Sequence, residues 1–402
     1  MTSPAPQVVG PAHQPLNFLL LAITYLLYFG QLGVLVPYLG IFLDGRGFTS
    51  ADIGNLFAVI TLSRIIGPSL WASLADKTGR TAFILRAGCL LSALSFTSVF
   101  YFSGFWGLTL SFGLMMMFWT AVLPQLEVIT MQSVAPTRVS YGKIRLWGSI
   151  GFIVFTVAVG KALDVFSSET PVIVSMGVLS ALFVASLFIR QPATPRYSEG
   201  NRGSVWRYVT RRPFVVFLVS ATLLQISFGP YYGFFALYLR DLQYTGQQTG
   251  FLIALGVAAE VGIFLLASRL ISRFGVWWLL MVCMLGTAAR WYAFASFAHY
   301  PWVVIAAQLI HALSFGLTHA ASVHFIHRFL PAQYHSRGQA LYISVAFGLG
   351  GALGNYGAGQ LWEQGTNAEL TFMLAAFTGL LGGLIMLGCR PQQMNHSVSV
   401  QA

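Results

Sequence analysis

The chain has 402 residues, of which 56% are hydrophobic and only 8% carry a charge. An average soluble domain has about 25% charged residues, so the composition excludes an ordinary water-soluble protein and indicates a chain that lies in a lipid bilayer. The net charge of +11 does not indicate a nucleic-acid partner, because the basic residues lie between apolar segments, where membrane proteins keep their cytoplasmic connections.

Apolar segments long enough to cross a membrane recur along the whole chain. A helix needs about 20 apolar residues to cross a hydrocarbon core of about 30 Å, whereas strands of a membrane β-barrel are shorter and alternate in polarity. Spans of the first kind are predicted to begin near residues 16, 52, 82, 105, 143, 171, 214, 248, 276, 302, 337 and 368. The sequence therefore predicts an all-α membrane protein with twelve transmembrane helices.

A long polar segment divides the predicted spans into two groups of six. It covers residues 191–213, between the sixth and the seventh span, and is interpreted as a cytoplasmic linker. The N-terminal six-helix half is residues 1–190, the C-terminal six-helix half is residues 214–390, and a cytoplasmic tail follows over 391–402. The prediction is thus two six-helix bundles joined by the linker.

An internal repeat indicates that the two halves are related. A constant offset of 196 residues relates Gly33 to Gly229 and Thr49 to Thr245. The same offset relates further residues at loops and helix ends, namely Gly54 and Gly250, Gly79 and Gly275, Trp106 and Trp302, and Gly142 and Gly338. Two related six-helix repeats are typical of secondary transporters, whose substrate site lies near the midplane of the membrane between the repeats.

The basic residues also predict the orientation of the chain. Arg46, Lys161 and Arg240 lie in connections on one side of the predicted membrane, whereas most of the 22 Lys and Arg residues lie on the other side. Basic connections stay in the cytoplasm, so we expect a multi-pass protein of a bacterial inner membrane with both termini cytoplasmic. The first fifteen residues contain no Lys or Arg, unlike the start of a signal peptide, so we expect the first span to be retained.

The connection after the second span carries a family signature. Its sequence, ASLADKTGRT over residues 72–81, combines a small residue, an acid, a base, a glycine turn and an arginine. This pattern resembles the signature of the major facilitator superfamily, with Ala72 where that family usually has glycine. The resemblance implies a gate in which the acid latches the cytoplasmic side in one state. The residues of this gating motif are Asp76, Lys77, Gly79 and Arg80.

Ionisable side chains within the apolar spans are candidates for function, because a charge inside a bilayer is costly. These residues are Arg64, Glu127, Arg145, Glu260, Arg290, His311 and His319. Three arginines and two glutamates indicate ion pairs, with one cation left for an anionic ligand or a third partner. The histidines have two interpretations, a role in proton coupling or a core histidine that is hydrogen-bonded between helices.

Glu127 and Arg145 are predicted to lie side by side. Glu127 ends the segment LPQLE of the fourth span, and Arg145 lies in YGKIRLWG at the start of the fifth. The pattern resembles the glutamate and arginine that the lactose permease family supplies to its sugar site. The resemblance implies that both residues bind substrate, and Arg145 is expected to be the bidentate partner of Glu127 or of Glu260. The alternative is an arginine that snorkels to the membrane surface.

Longer stretches resemble the bacterial 3-phenylpropionic acid permeases, a branch near lactose permease. The matching segments are YGKIRLWGS, YYGFFALY, GVAAEVGIF, ARW and PWVVIAAQLIHALSFGLTH. The resemblance covers nearly the whole chain and implies the major facilitator fold and transport of an aromatic carboxylate. Two positions depart from lactose permease, because Phe152 stands at its sugar-stacking tryptophan and Ser314 at its proton-carrying glutamate. Phe152 weakens a galactoside assignment, and Ser314 leaves the proton carrier to be found elsewhere.

The candidate site residues fall into two groups. Substrate binding is assigned to Arg64, Glu127, Arg145, Phe152, Tyr231 and Tyr232, and proton coupling to Glu260, Arg290, His311 and His319. Glu260 is the first candidate for the proton carrier because it lies at mid-span, and His311 is the next. Tyr231 and Tyr232 lie away from the membrane surfaces, where aromatic belts form, so one face of their cluster is expected to line a cavity for an aromatic ring. The alternative is that the rings face lipid or serve packing.

The leading functional hypothesis is proton-coupled uptake of a small aromatic carboxylate by alternating access. Symport of a neutral sugar or nucleoside is the alternative within the same class. A membrane enzyme is not expected, since the chain contains no HExxH or CxxC motif, and neither a metal nor a cofactor is predicted. A sensor would need an output domain, for which the linker and tail are too short. The expected partners are a small-molecule substrate, a proton and the lipid bilayer, without nucleic acid, and we expect a monomer.

Overall fold

The computed structural model describes residues 14–135, 137–191 and 204–395. Within these ranges the side chains of residues 14–16, Arg64, Pro68, Ser69, Ala72, Ser73, Asp76 and Lys77 lie outside the description. Much of the predicted linker (192–203) and of the predicted tail (396–402) also lies outside the described residues. The regular secondary structure of the described ranges is entirely helical.

The described residues form twelve long helices in the order that the sequence predicts. The first six are α1 (Gln14–Gly45), α2 (Ser50–Thr78), α3 (Thr81–Thr97), α4 (Phe105–Val134), α5 (Tyr141–Leu163) and α6 (Thr170–Phe188). The second six are α7 (Arg212–Asp241), α8 (Gly246–Phe274), α9 (Val276–Phe297), α10 (Pro301–Phe329), α11 (335–362) and α12 (Ala368–Met386). Eleven of them have the length and apolarity of a membrane span, and α11 differs in its polar first turns.

Four of the long helices are interrupted near mid-length. α4 is broken between Trp119 and Val122, where the following Pro124 has no N–H to donate to the preceding turn. α7 restarts at Gly229, and the next residue, Pro230, is favoured in the first turn of a helix. α10 and α11 each contain π-helical turns, which are frequent at functional sites. The interruptions therefore fall at the depth where a transporter holds its substrate.

Equivalent caps define the second helix of each half. Thr49 at the start of α2 and Thr245 at the start of α8 each form a reciprocal capping box with the third residue of the helix. The glycines that follow these helices, Gly79 and Gly275, have φ angles of 64° and 77°, a conformation that strongly favours glycine. The sequence repeat relates both pairs, so it reflects the same cap at the start of each helix and a positive φ at the glycine after it, although the ψ angles of the glycines differ (13° at Gly79 and 160° at Gly275).

Large apolar side chains lie on the outside of the helix bundle as well as within it. The main buried cluster contains residues of both halves, such as Tyr25, Trp119, Phe234 and Trp291. Many leucine, isoleucine and phenylalanine side chains are exposed along the helices. Such extensive apolar exposure is unfavourable in water and is favourable against lipid, which supports a bilayer as the surroundings of the bundle.

The two halves are joined at one end of the bundle, which we call the distal end because it lies opposite the described chain ends. The distal end contains the α1–α2, α5–α6, α7–α8 and α11–α12 connections. Arg240 Nη1 of α7 donates to Asp44 Oδ2 of α1 at 2.7 Å. The backbone N–H of Ser50 at the start of α2 donates to Gln364 Oε1, after α11, at 2.9 Å. Polar contacts thus cross between the halves at this end.

A third distal contact joins α5 to α8. The Asp164 carboxylate accepts hydrogen bonds from the backbone N–H groups of Gly246 at 2.5 Å and of Gln247 at 2.9 Å. A Cβ atom on Gly160 would overlap the carbonyl oxygen of Gly246, and a Cβ atom on Gly246 would overlap that of Gly160. Only glycine therefore allows the backbones of the two halves to approach this closely.

At the opposite end, hydrogen bonds join helices within each half. Asn17 Nδ2 of α1 donates to Ser133 Oγ of α4 at 3.3 Å. Arg86 Nη2 of α3 donates to the carbonyl oxygen of Ile189 after α6 at 2.9 Å. Asn395 Oδ1, in the short helical segment Pro391–Asn395 that follows the second half, accepts the backbone N–H of Val276 at 2.9 Å. These contacts stabilise each half separately.

Candidate substrate and proton site

Three ionisable side chains of the second half form one hydrogen-bonded chain. Glu260 Oε1 on α8 lies 2.7 Å from His311 Nε2 on α10. His311 Nδ1 lies 3.0 Å from Arg290 Nη1 on α9. Arg290 is fully buried, and the side chains of His311 and Glu260 are 7% and 14% exposed. The structure therefore brings together three of the residues that the sequence assigns to proton coupling.

The hydrogen-bond pattern assigns the protonation state of His311. A guanidinium has donors only, so Arg290 donates and His311 Nδ1 accepts. The ring proton then lies on Nε2, from which it is donated to the Glu260 carboxylate. With an ionised Glu260, this is a neutral imidazole between a cation and an anion, and the network then has no net charge.

Close packing of α8 against α10 makes this contact possible. A Cβ atom on Gly256 would lie 3.1 Å from Gln308 Oε1, and one on Gly316 would lie 2.8 Å from a side chain of α8. The π-helical turns of α10 begin directly after His311, where they change the direction of the side chains that follow. Glycine on both helices and the irregular turns thus hold Glu260 within hydrogen-bond distance of His311.

Aromatic rings enclose the guanidinium of Arg290. Its Cζ atom lies 4.0 Å from the ring centroid of Trp291, 5.0 Å from that of Tyr231 and 5.7 Å from that of Phe228. Cation–π contacts of this kind stabilise a desolvated cation. Arg290 Nε and Nη2 are buried and have no hydrogen-bond partner among the residues that the structure describes. Both atoms carry donors that no described hydrogen bond uses, and in this conformation the surrounding rings close them off from solvent.

The predicted tyrosines of α7 lie in the same aromatic cluster. The Tyr231 hydroxyl donates to Gln308 Oε1 at 3.2 Å. The Tyr232 ring is stacked on Phe228 with 5.7 Å between the centroids and 29° between the planes. Sequence reasoning missed Gln308, although an amide in the middle of an apolar span is itself a signal for a polar contact between helices.

His319 is separate from this chain of charges. Its ring packs against Tyr342 and Phe347 of α11, with centroid distances of 6.2 and 6.1 Å. Its Nδ1 atom is buried and has no hydrogen-bond partner within the described ranges. The assignment of His319 to proton coupling therefore stays a prediction without a direct contact to Glu260 or His311 among the described hydrogen bonds.

In the first half, the predicted ion pair between Glu127 and Arg145 is not formed among the described side chains. The Tyr141 hydroxyl donates to Glu127 Oε1 at 3.3 Å. Arg145 Cζ lies 3.8 Å from the ring centroid of Phe29 and 5.7 Å from that of Tyr25. The physical reason is that a phenol satisfies the carboxylate while aromatic faces stabilise the guanidinium. The two residues share one region but do not pair directly in this conformation.

Phe152 lies where α5 crosses α1. A Cβ atom on Gly33 of α1 would lie 2.5 Å from the carbonyl oxygen of Phe152 and 2.6 Å from Thr156 Oγ1. The Phe152 side chain is half-buried and packs against the main core. Its observed role is therefore helix packing, and its place in a substrate site stays a prediction.

The gating motif is described only in part. Gly79 ends α2 with a positive φ angle, and Arg80 precedes α3 with an exposed side chain. The side chains of Asp76 and Lys77 lie outside the described residues, as does that of Arg64. The latch and the anion-binding role of Arg64 therefore stay predictions.

Comparison with known proteins finds similar sequences over most of the chain and similar structures. The model of the MFS_1 like family matches residues 18–374. The chain is 30% identical over 351 residues to a protein of Escherichia coli (strain K12) described as "Probable 3-phenylpropionic acid transporter", covering 85% of this chain and 90% of that protein. It is 30% identical over 377 residues to maltose permease of Geobacillus stearothermophilus, covering 90% and 92%. A crystal structure of a mutant of the nucleoside transporter NupG matches with a TM-score of 0.84 and 16% identity, covering 93% of this chain and 100% of that chain.

These similarities confirm the predicted fold class, a membrane protein with two pseudo-symmetric six-helix bundles. At 16% identity the structural match shows the fold alone, whereas the family match and the two relatives extend over most of the chain. They also confirm that the protein is not an enzyme. The chain belongs to the MFS_1 like family of the major facilitator superfamily and is a multipass membrane protein that acts as a secondary transporter.

Proposed function

We propose that the protein couples the uptake of a small aromatic carboxylate to the uptake of a proton by alternating access. The observation that carries this proposal is the buried chain of Glu260, His311 and Arg290. It combines a carboxylate that can take up a proton with a fixed cation that can hold an anion. In the described conformation these two charges compensate each other across a neutral imidazole, as buried charges require.

Protonation of Glu260 would change this balance of charge. A neutral carboxyl group no longer compensates Arg290, and an uncompensated cation attracts an anion strongly where the dielectric constant is low. A substrate carboxylate that accepts hydrogen bonds from Arg290 Nε and Nη2, the two nitrogen atoms without partners in the described part of the chain, would restore neutrality. Proton and carboxylate would then bind together and be released together, which is symport.

The aromatic surroundings of Arg290 favour a solute that carries a ring. Phe228, Tyr231 and Trp291 form adjacent faces with centroid distances of 5.5 to 6.0 Å, and such faces stabilise a further aromatic ring by stacking or edge contacts. The relative described as "Probable 3-phenylpropionic acid transporter" supports the same substrate class. Arg64 is the second candidate cation for the carboxylate.

The contacts at the distal end support an inward-facing state. Asp44 with Arg240, and Asp164 with the start of α8, join the halves at this end. With basic connections in the cytoplasm, the distal end faces the outside of the cell and is closed. The halves 1–190 and 214–390 would then rock about the site while the linker 191–213 and the tail 391–402 stay cytoplasmic, in a monomer of the inner membrane. The cytoplasmic latch of the outward-facing state is assigned to Asp76, Lys77, Gly79 and Arg80.

Symport of a neutral sugar or nucleoside is the second candidate function. The Glu127 carboxylate is half-buried and shares its Oε1 atom only with the Tyr141 hydroxyl among the described hydrogen bonds, so it can accept further hydrogen bonds from solute hydroxyl groups. The similarity to maltose permease supports this candidate.

Uptake by proteoliposomes under an imposed inward proton gradient tests the proposal. The solutes are 3-phenylpropionate, 3-phenylpropionamide, maltose and uridine. We expect gradient-driven accumulation of 3-phenylpropionate alone, abolished by a protonophore. Because the neutral form of such an acid crosses bilayers unaided, liposomes without protein and liposomes with Glu260→Gln are the controls. Accumulation of maltose or uridine instead would establish the second candidate. Accumulation that does not depend on the proton gradient would show that transport is not coupled to protons.

A further inference from the structure

The turn after α11 has a backbone conformation that is rare for residues other than glycine. Glu363 and Gln364 have φ angles of 45° and 55° and ψ angles of 54° and 33°, which is the left-handed helical region. Gly365 follows with a φ angle of 94°. A residue with a side chain visits this region singly, because its Cβ atom crowds the following carbonyl oxygen. Two such residues in succession are strained, and strain of this kind persists only where surrounding contacts hold it.

Contacts from the other half of the protein hold this turn. Ser50, the first residue of α2, donates its backbone N–H to Gln364 Oε1 at 2.9 Å, and its hydroxyl group donates to the same oxygen. In return, the backbone N–H of Gln364 donates to Ser50 Oγ at 2.9 Å. The first N–H groups of a helix have no partner within the helix, so Gln364 acts as a cap on α2. We call these hydrogen bonds between Gln364 and Ser50 the distal clamp.

The left-handed turn is what brings Gln364 to α2. The helix α11 ends at Trp362, and two residues later both the backbone N–H and the side chain of Gln364 reach Ser50. Behind the turn, Gly365 lies against α7 of its own half, since a Cβ atom there would lie 2.8 Å from Asp241 Oδ2. The Glu363 side chain is exposed and takes no part in the clamp. Its strained backbone is therefore imposed by its neighbours.

The clamp and the strain act on the distal end in opposite directions. The hydrogen bonds between Gln364 and Ser50 exist only while the two halves touch, so they favour the closed distal end. The strain at Glu363 and Gln364 is also confined to that state, because the turn is free to relax once the clamp is broken. A free-energy cost that is present in only one of two states shifts the equilibrium towards the other state. The strain therefore favours opening.

We propose that the strained turn of residues 363–365 is a conformational device that destabilises the closed distal end and keeps it able to open during transport. A clamp without strain would hold the halves together more tightly, whereas a transporter has to populate both of its states in every cycle. The inference rests on the inward-facing state of the proposed function. It does not depend on the identity of the solute or of the coupling ion.

The readout for a test is opening of the distal end without any solute. Ala236 on α7 is buried against Val34 and Tyr38 of α1, so the cysteine of Ala236→Cys should react with a membrane-impermeant maleimide, added from outside, only when the distal end opens. The native cysteines are buried. The labelling rate then reports the population of the open state.

Substitutions at Glu363 change the strain and leave the clamp in place. Glu363→Gly removes strain and should slow labelling about fivefold, which corresponds to about 1 kcal/mol. Glu363→Val should accelerate labelling by about the same factor, because a β-branched residue is a clear outlier in this region. Glu363→Gln changes the charge and not the backbone preference, so it should label at the original rate. The expected order follows tolerance of a positive φ angle.

A double variant links the strain to the clamp. Gln364→Ala removes the acceptor for Ser50, so labelling should be faster than in the unaltered protein. The closed turn is then held much less firmly in the strained conformation. Glu363→Gly should therefore slow labelling much less in the Gln364→Ala background than in the unaltered protein. Equal slowing in both backgrounds would overturn the link between the strain and the clamp.

Gln243→Gly is the matched control for the loss of strain. Gln243, in the α7–α8 turn at the same end, has a φ angle of 66°, but its described hydrogen bonds stay within the second half. Its strain is present in both states, so Gln243→Gly should leave the labelling rate unchanged. Equal slowing by Gln243→Gly and Glu363→Gly would overturn the proposal, and so would equal rates for Glu363→Gly, Glu363→Val and the unaltered protein.

The outcomes also separate this inference from the proposed function. Labelling of Ala236→Cys that is already complete within the shortest measured time would contradict the inward-facing state, and the inference would fall with it. A failure of gradient-driven solute uptake, with the expected order of labelling rates at Glu363, would overturn the proposed function and support the conformational device.

Discussion

The carboxylate of Asp164 at the end of α5 accepts hydrogen bonds from two backbone N–H groups of α8, of which the shorter, from Gly246, is 2.5 Å. The first N–H groups of a helix have no partner within the helix, and the helix dipole adds to their attraction for an anion, so that such a contact contributes about 0.3–1 kcal/mol when exposed and up to ~2 kcal/mol when partly buried. Since α5 and α8 belong to different halves, Asp164 stabilises the closed distal end.

Asp164→Asn should therefore favour opening of the distal end. The amide keeps an acceptor but loses the charge. The closed distal end should therefore lose about 1 kcal/mol of stability, which raises the open population roughly fivefold. Ala236→Cys is a suitable reporter, because Ala236 on α7 is buried against Val34 and Tyr38 of α1 and the native cysteines are buried. Its alkylation by a membrane-impermeant maleimide should be faster in the Asp164→Asn background.

Glu169→Gln is the matched control for this experiment. Glu169 pairs with Arg46 at 2.7 Å, and both residues belong to the first half, so the substitution removes a distal ion pair without touching the contact between halves. Labelling of Ala236→Cys should stay at its original rate. An equal acceleration by Glu169→Gln and Asp164→Asn would mean that general loosening of the distal end, not the α5–α8 contact, controls opening.

Glu260→Gln should separate solute exchange from accumulation. The amide can still accept the hydrogen bond from His311 Nε2, which now lies 2.7 Å from Glu260 Oε1, but it cannot release a proton. We expect exchange of labelled for unlabelled solute to keep most of its rate, while uphill accumulation under a proton gradient falls to the level of protein-free liposomes. If the variant still concentrates solute against its gradient, Glu260 is not the carrier and His311 becomes the next candidate.

The course of the helices was predictable from the sequence, and the reason is the bilayer. Every spanning helix needs a long apolar run, so the predicted starts lie within two residues of the observed ones. The glycine turns at Gly79 and Gly275 were predictable as equivalent positions of a repeat, because a positive φ angle restricts them to glycine. Charged residues in the spans were predictable as candidates, since each one is costly.

The partners of the charged side chains were not predictable in the same way. Spacing placed Glu127 and Arg145 near each other, yet the guanidinium turns to Phe29 and the carboxylate to Tyr141. Such choices depend on rotamers and on the rotation of each helix about its axis, which an apolar pattern does not determine. Gln308, which accepts from the Tyr231 hydroxyl, was overlooked for a related reason, because a neutral amide disturbs an apolar run much less than a charge does.

Arg145→Lys should weaken solute binding and slow transport although the charge is kept. The planar guanidinium lies 3.8 Å from the Phe29 ring centroid, and a compact ammonium cannot stack in the same way. The lost cation–π contact accounts for about 0.5–2 kcal/mol, which corresponds to a reduction in solute affinity of roughly 2- to 30-fold. Binding by titration and exchange by purified protein measure the effect. Lys143→Ala, at an exposed position of the same turn, is the control and should retain exchange.

The charge of the solute can be tested at Arg290, provided that the Glu260 carboxylate is not left without its cation. Replacing Arg290 by itself would strand the Glu260 carboxylate, and breaking a buried pair in this way costs about 3–5 kcal/mol. The comparison is therefore between Glu260→Gln, which imitates the protonated carboxyl, and the double variant Glu260→Gln/Arg290→Gln. In the single variant Arg290 has no compensating anion, so 3-phenylpropionate should bind at least as tightly as to the unaltered protein and with little dependence on pH.

In the double variant the affinity for 3-phenylpropionate should fall by about 10- to 100-fold relative to Glu260→Gln, because a hydrogen bond to a charged group contributes about 1.5–3 kcal/mol. The affinity for 3-phenylpropionamide should change much less, since the neutral amide does not need the cation.

Arg64→Gln in the Glu260→Gln background is the parallel arm, because Arg64 is the other deep arginine assigned to the substrate. A selective loss of affinity for the acid in that arm alone would place the anion site at Arg64 and not at Arg290. Equal losses of affinity for acid and amide in both arms would mean that the two arginines are only structural members of ion pairs. That result would favour a sugar or a nucleoside as the transported solute.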